Sequence, residues 1–154
     1  ALIEALMDEP YPLVFIGRPF DPGYMALCTT LGKRRGKTLF IDHMDQQQLF
    51  NAYRDARVHA LVSWYETPGL SSLEAGSVGT NLVVTRGGCT KEYFGENAYY
   101  CEPNDLASIK NAVRQAWDKP KSDSLSKHIT TAYTWNEAGR QTLTAYQQVN
   151  TPKQ

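Results

Sequence analysis

Two carboxylates and the short polar segment between them carry the most chemistry in this sequence. Glu66 and Glu74 bracket Thr67-Pro68-Gly69-Leu70-Ser71-Ser72-Leu73, and apolar runs flank the segment, Val58 to Ser63 before it and Leu82 to Thr85 after it. This order reads as strand, turn, helix, strand, which is one βαβ unit. Thr67 is expected as N-cap, and Pro68, which has no amide to leave unpaired, as the first helical residue; Gly69 lets a ligand approach the backbone. A helix N-terminus at the carboxyl edge of a parallel sheet offers free amides and a dipole that favour anions, phosphate above all. Glu74 is then expected about two turns into the helix, on the order of 9 Å along its axis at about 1.5 Å per residue. A diphosphate on the amides of Gly69, Leu70 and Ser71 would put a sugar on one side and a ribose on the other, each with hydroxyls that suit a carboxylate acceptor. That chemistry points to a nucleotide sugar.

The elements that must hold this site recur along the chain. Leu2, Ile3, Ala5 and Leu6 read as the end of a helix stopped by Pro10 and Pro12, and Leu13 to Ile16 as a buried strand closing at Gly17. Asp21-Pro22 opens a second helix, which ends near Gly32. The following Lys33-Arg34-Arg35 reads as a partner of that helix's C-terminal dipole on a solvated face. Lys37 to Ile41 forms the next strand, followed by the loop Asp42-His43-Met44 and a helix from Asp45 to about Ala56. Trp64 and Tyr65, at the end of the strand before Glu66, are expected to pack in the core with a wet tip. Gly87-Gly88 forms a turn into a short helix containing Glu92, expected to shape the site. After the short strand Tyr99 to Cys101, Asn104 is expected to cap an amphipathic helix with Ile109, Ala112, Val113 and Ala116 on one face. Leu125 to Tyr133 is a further helix, and Thr134 with Glu137 forms a capping box for a last one. Gly76, inside the helix of the central unit, costs roughly 1 kcal/mol against alanine, which close packing on the sheet would explain.

Composition bounds the rest. The 154 residues, 42% hydrophobic, suffice for one globular domain, expected over 1–150 with 151–154 as a tail. Sixteen basic and sixteen acidic residues cancel without long runs of one sign, so nothing indicates nucleic acid or a charged membrane surface as partner. No apolar stretch approaches the roughly 20 residues of a transmembrane helix, and a cytoplasmic location is expected. Cys28, Cys89 and Cys101 are odd in number and read as reduced thiols, and the scattered histidines His43, His59 and His128 indicate no metal site.

Glu66 and Glu74 with Gly69-Leu70 and Leu73-Glu74-Ala75 between them resemble the donor-site motif of retaining glycosyltransferases of family 4, which have the GT-B fold. The similarity continues through Gly79, Gly87-Gly88, Glu92-Tyr93-Phe94-Gly95, Pro103-Asn104-Asp105 and Trp135. The resemblance implies an α/β fold with a Rossmann-like, doubly wound parallel sheet, one half of a GT-B enzyme: its carboxy-terminal, donor-binding domain. It implies that Glu74 holds ribose hydroxyls, that Glu66 and the amides of Gly69, Leu70 and Ser71 hold the transferred sugar and the diphosphate, and that no cofactor or metal is required. It places the loop with His43 and Met44 against the nucleobase, though an exposed loop histidine and a packed methionine read as well. The amino-terminal acceptor domain would be the partner, and any membrane contact would come through it. The family's domain opens with a central strand and then a basic pair that neutralises the diphosphate. Neither is found here, and Arg18 is not a positional match. The sequence is therefore expected to be part of a longer hexosyl-type transferase, inactive in isolation, with two neighbouring strands left unpaired.

Two other classes fit the residues less fully. One is a non-catalytic nucleotide- or phosphosugar-binding module; a dinucleotide dehydrogenase is disfavoured because Gly17-Arg18-Pro19-Phe20 lacks the glycine fingerprint. The other is an interaction domain with both glutamates on its surface. Binding of a nucleotide sugar, of nucleotide alone, or of neither separates the three.

Overall fold

The computed structural model describes residues 1–150; the expected tail at 151–154 lies outside the described residues. The chain alternates helices and strands as α1 (Leu2–Ala5), β1 (Leu13–Ile16), α2 (Pro22–Leu31), β2 (Thr38–Ile41), α3 (Gln46–Asp55), β3 (Val58–Leu61) and α4 (Leu70–Ser77). It continues through β4 (Asn81–Thr85), α5 (Thr90–Phe94), β5 (Ala98–Cys101), α6 (Leu106–Asp118), α7 (Asp123–Ala132) and α8 (Trp135–Asn150). All strand pairs are parallel. They form two pieces: β1 with β2, in register from Leu13 opposite Thr38 to Ile16 opposite Ile41, and a three-stranded sheet β3-β4-β5. β1 and β3 do not pair, so each keeps one open edge.

β4 is the centre of the molecule. Leu82, Val83 and Val84 are fully buried, and the pleat sends them alternately to opposite faces. Val83 joins Leu6, Ile109 and Val113 under α1 and α6, while Leu82 and Val84 join Phe94, Leu125 and Ile129 under α4 and α7. Burial on both faces is why the strand reads as a continuous apolar run rather than an alternating one. Gly76 faces α7: a Cβ there would lie 2.5 Å from Ile129 Cδ1, 3.2 Å from Leu125 Cδ2 and 3.3 Å from Leu82 Cδ1. Its close packing is therefore chiefly against a helix, with the sheet contributing through Leu82.

Several local expectations are corrected. The cap of α6 is Asp105, not Asn104, because the Asp105 carboxylate accepts from the amides of Ala107 and Ser108 at 2.9 and 3.0 Å. Thr134 accepts from the Glu137 amide at 3.1 Å, but the Glu137 carboxylate turns to Arg140 and Gln141, so only one limb of the capping box forms. In the basic cluster after α2, Lys33 and Arg35 are exposed as expected, but Arg34 turns inward. Arg34 donates to the carbonyls of Leu6 (2.7 and 2.9 Å), Glu9 (2.8 Å) and Tyr11 (2.7 Å), pinning the α1–β1 connection. Glu9, nearly inaccessible, also receives two bonds from Arg114 of α6 at 3.0 and 2.6 Å. Trp64 and Tyr65 are not core residues; they stand 73% and 68% exposed beside Glu66.

Candidate donor site

The segment that carries Glu66 is held by its own main chain. The Glu66 amide donates to the Gly87 carbonyl at 3.2 Å, and its carbonyl accepts from the Cys89 amide at 2.9 Å. Gly88 completes a parallel bridge with Glu66. A side chain on Gly88, whose φ is +88°, would collide with the Glu66 backbone, and one on Gly87 with the Trp64 carbonyl. The glycine pair thus shapes the site by close approach.

The helix itself starts later than the sequence indicated. Its N-cap is Gly69, in the left-handed conformation (φ +69°, ψ +67°), so Thr67 caps nothing and Pro68 lies outside α4. A residue in that conformation cannot belong to the helix, which therefore opens at Leu70. Glu74 accordingly lies about 6 Å beyond Leu70, just over one turn, rather than two turns in. The Gly69 carbonyl accepts from the amides of Ser72 (2.9 Å) and Leu73 (3.2 Å). The amides of Gly69, Leu70 and Ser71 have no hydrogen-bond partner among the described residues. These are the three singled out from the sequence.

The Glu66 carboxylate folds back to this terminus. A Cβ added to Gly69 would lie 3.4 Å from Glu66 Oε2, 3.3 Å from Leu61 Cδ2 and 3.8 Å from Ser72 Oγ, close to ordinary contact, so the positive φ is what favours glycine here. Ser72 is fully buried, and its hydroxyl has no partner. Glu74, half-buried on α4, faces α3. Burial first, and then the Glu74 charge, push the Tyr53 phenol above its ordinary range. The Tyr53 ring meets His59 of β3 edge-on at 5.5 Å, and Thr80 donates its hydroxyl proton to the Tyr53 carbonyl, tying α3 to the far end of α4. Burial holds His59 down at about 4, so its ring is neutral near pH 7, and its Nε2 is buried without a partner.

His43 and Met44 lie on the β2–α3 loop and share with Ser71 the wall of a cavity of about 930 Å³ between the two sheet pieces. Glu66, Gly69, Leu70 and Glu74 are not on that wall. The structure therefore gathers Glu66, Gly69, Leu70 and Ser71 at one helix start, sets Glu74 a turn further, and places His43 and Met44 across the cavity from Ser71. Sequence reasoning missed Tyr53, Thr80 and His59. Nothing in a lone tyrosine, threonine or histidine signals that Tyr53 will meet the His59 ring edge-on and accept the Thr80 hydroxyl at its carbonyl. No cluster of three or more potential metal ligands occurs among the described residues, nor is any described helix long and apolar enough to cross a membrane.

Comparison with known proteins gives this geometry a lineage. The family model for glycosyl transferases group 1 matches residues 1–135. Glycogen synthase of Mycobacterium tuberculosis is 30% identical over 116 residues, 71% of this chain and 28% of that protein. The O-antigen chain mannosyltransferase B of Escherichia coli is 27% identical over 145 residues, 88% of this chain and 37% of that protein. The chain thus spans well under half the length of these curated relatives. Among solved structures, sucrose-phosphate synthase from Thermosynechococcus elongatus superposes with a TM-score of 0.75 at 22% identity, covering 96% of this chain and 41% of that one. A glycosyltransferase involved in avilamycin A biosynthesis superposes with a TM-score of 0.72 at 18% identity, covering 97% and 47%. These neighbours have the GT-B fold, and the α/β architecture with parallel strands flanked by helices is theirs. With residues 1–135 of its 154 matched by the family model, the chain belongs to the glycosyl transferases group 1 family.

Proposed function

We propose that the chain is the carboxy-terminal, donor-binding domain of a retaining, family 4 glycosyltransferase that moves a hexosyl-type sugar from a nucleotide-diphosphate sugar to a glycan, lipid or small-molecule acceptor. The observation that carries this reading is the group of three unpaired amides on Gly69, Leu70 and Ser71 with the Glu66 carboxylate folded against Gly69. In this reading the amides and the α4 dipole bind the diphosphate and stabilise the charge that grows on it as the glycosidic bond breaks. Glu66 accepts hydrogen bonds from the transferred sugar, and Glu74, backed by Tyr53, accepts them from the ribose. His43 and Met44 line the base side. No metal or cofactor takes part, and the acceptor is held by an amino-terminal domain of the longer protein, toward which the exposed Leu143, Tyr146 and Val149 of α8 turn. The isolated chain then binds donor weakly and transfers nothing.

Titration calorimetry of the full-length parent against a panel of nucleoside diphosphates and their sugars tests this. One member is expected to bind, and Glu74→Ala to weaken it by about 1–3 kcal/mol, the value of hydrogen bonds to a charged group. A folded protein that binds no member refutes the donor site. A protein that binds a free nucleotide but none of the sugar conjugates refutes the transferase and leaves a nucleotide-binding module.

A further inference from the structure

α5 is too short to stand by itself. Its five residues, Thr90–Phe94, make little more than one turn, and isolated helices shorter than about 12 residues are marginal in water. The start of α5 is tied to the sheet and to the donor-site loop. The Thr90 hydroxyl donates to the Thr85 carbonyl at 2.7 Å, and the amides of Glu92 and Tyr93 donate to the Cys89 carbonyl at 3.0 and 3.2 Å. The Cys89 amide in turn donates to the Glu66 carbonyl. At the other end, the last carbonyls of a helix find no partner within it. Side chains from α7 and its cap supply the donors here. The Tyr133 hydroxyl donates to the Glu92 carbonyl at 3.2 Å, and His128 Nε2 lies 2.9 Å from the Tyr93 carbonyl. A carbonyl only accepts, so Nε2 is the ring nitrogen that carries the proton in this bond. The rings support one another: Tyr133 lies 4.8 Å from Tyr93 and meets His128 close to edge-on at 5.5 Å.

We propose that Tyr133 and His128 are positioning residues for Glu66, acting through α5. The line of bonds is continuous. Two donors from the α7 side hold the end of α5, the first turn of α5 holds the Cys89 carbonyl, and the Cys89 amide holds the Glu66 carbonyl. The same helix braces the other half of the site. The Ser126 hydroxyl donates to the Ser77 carbonyl at 2.6 Å, and Ile129 and Leu125 close on Gly76, so α7 also sets α4, whose first turn carries the unpaired amides. α7 reaches the two halves through different residues, Tyr133 and His128 for the Glu66 loop, Ser126 and Ile129 for α4. Each half is therefore open to disturbance alone. The consequence for the ligand rests on the function proposed above: a loosened Glu66 loses its hold on the sugar, while the amides that face the diphosphate stay in place. The positioning itself does not rest on it.

The test uses the full-length parent without ligand. Hydrogen exchange is read at the Cys89 amide, with the fully buried Val83 and Val84 of β4 as the reference for general loosening. Tyr133→Phe deletes one hydroxyl and His128→Ala one donor. Each is expected to speed exchange at Cys89 by about two- to tenfold, the worth of one ordinary hydrogen bond, and to leave β4 unchanged. His128→Gln, whose side-chain amide can donate to the same carbonyl, is expected to restore the parent rate. Ser126→Ala cuts the α4 contact of the same helix and is expected to leave Cys89 unchanged. Unaltered exchange at Cys89 in either Tyr133→Phe or His128→Ala, equal acceleration in β4 or in Ser126→Ala, or no recovery with glutamine would each overturn the proposal. In calorimetry the first two variants are expected to weaken the nucleotide sugar by about two- to tenfold while the free nucleoside diphosphate holds within about twofold. Equal loss of both overturns the link from Glu66 to the sugar. A parent that binds neither refutes the donor site, and exchange alone then decides the positioning.

Discussion

Alanine at position 76 sets two effects of similar size against each other. Within a helix, Gly→Ala gains about 1 kcal/mol of intrinsic propensity. At this position the new Cβ would stand 2.5 Å from Ile129 Cδ1, with Leu125 Cδ2 at 3.2 Å and Leu82 Cδ1 at 3.3 Å closing the other sides. Ile129 and Leu125 are 4% and 5% exposed, so the Ile129 terminus cannot swing into solvent. Overpacking of this kind costs about 1–3 kcal/mol, which leaves Gly76→Ala destabilised by about 0–2 kcal/mol. Ile129→Val removes the offending methyl at a cost of about 0.5–1.5 kcal/mol by itself. In the double variant the alanine methyl occupies the space vacated, so its stability is expected within about 0.5 kcal/mol of the parent. That corresponds to a favourable coupling of roughly 1–2 kcal/mol between the two sites. Urea unfolding of the four proteins, followed by circular dichroism, measures the cycle. A Gly76→Ala variant stabilised by the full propensity gain, with additive behaviour in the double variant, would refute the claim that α4 and α7 touch at this glycine.

Other perturbations reach the site and β3. Gly88→Ala forces a Cβ into the Glu66 backbone and requires a positive φ of a residue that rarely adopts it, so it is expected to cost at least about 1–3 kcal/mol. It should also weaken donor binding in the calorimetric panel, and intact affinity would show that the bridge does not position Glu66. His59 is neutral in the folded chain down to about pH 4 but titrates near 6.5 when unfolded. Below pH 6.5 the unfolded state therefore binds a proton that the folded state does not, and stability falls with falling pH by up to about 1.4 kcal/mol per unit until roughly pH 4. Relative to His59→Leu, the parent should lose about 2 kcal/mol more between pH 7 and pH 5 in urea unfolding; parallel pH profiles would place the imidazole in contact with water.

What the sequence made legible followed from local rules. The helix starts at Asp21 and Asp45 were readable because the cap residues precede clear helical runs, and both side chains accept the expected amides. β4 was readable as a buried strand because it is covered on both faces, whereas β1 and β3, also expected to be buried, are only half-buried. What stayed hidden depended on distant chain. The left-handed Gly69 that delays α4 is set beside Leu61 and Glu66, and the Arg34 side chain finds its carbonyl partners more than twenty residues away. Trp64 and Tyr65 look like core residues by type, but both stand exposed, with the Trp64 carbonyl close against Gly87. Tyr53, Thr80 and His59 become a group only once α3, β3 and the α4–β4 connection have packed.

The way Glu66 is held bears on how such a domain can change over generations. Its amide and carbonyl are engaged by Gly87 and Cys89 through main chain alone, so the loop's position does not depend on which side chain stands at 66. The scaffold and the reagent at this point are separable. A lineage can exchange the side chain at 66 by a single codon without losing the main-chain bonds that hold the loop. The glycines at 87 and 88 have no such freedom, because there the absence of a side chain is itself the structural requirement.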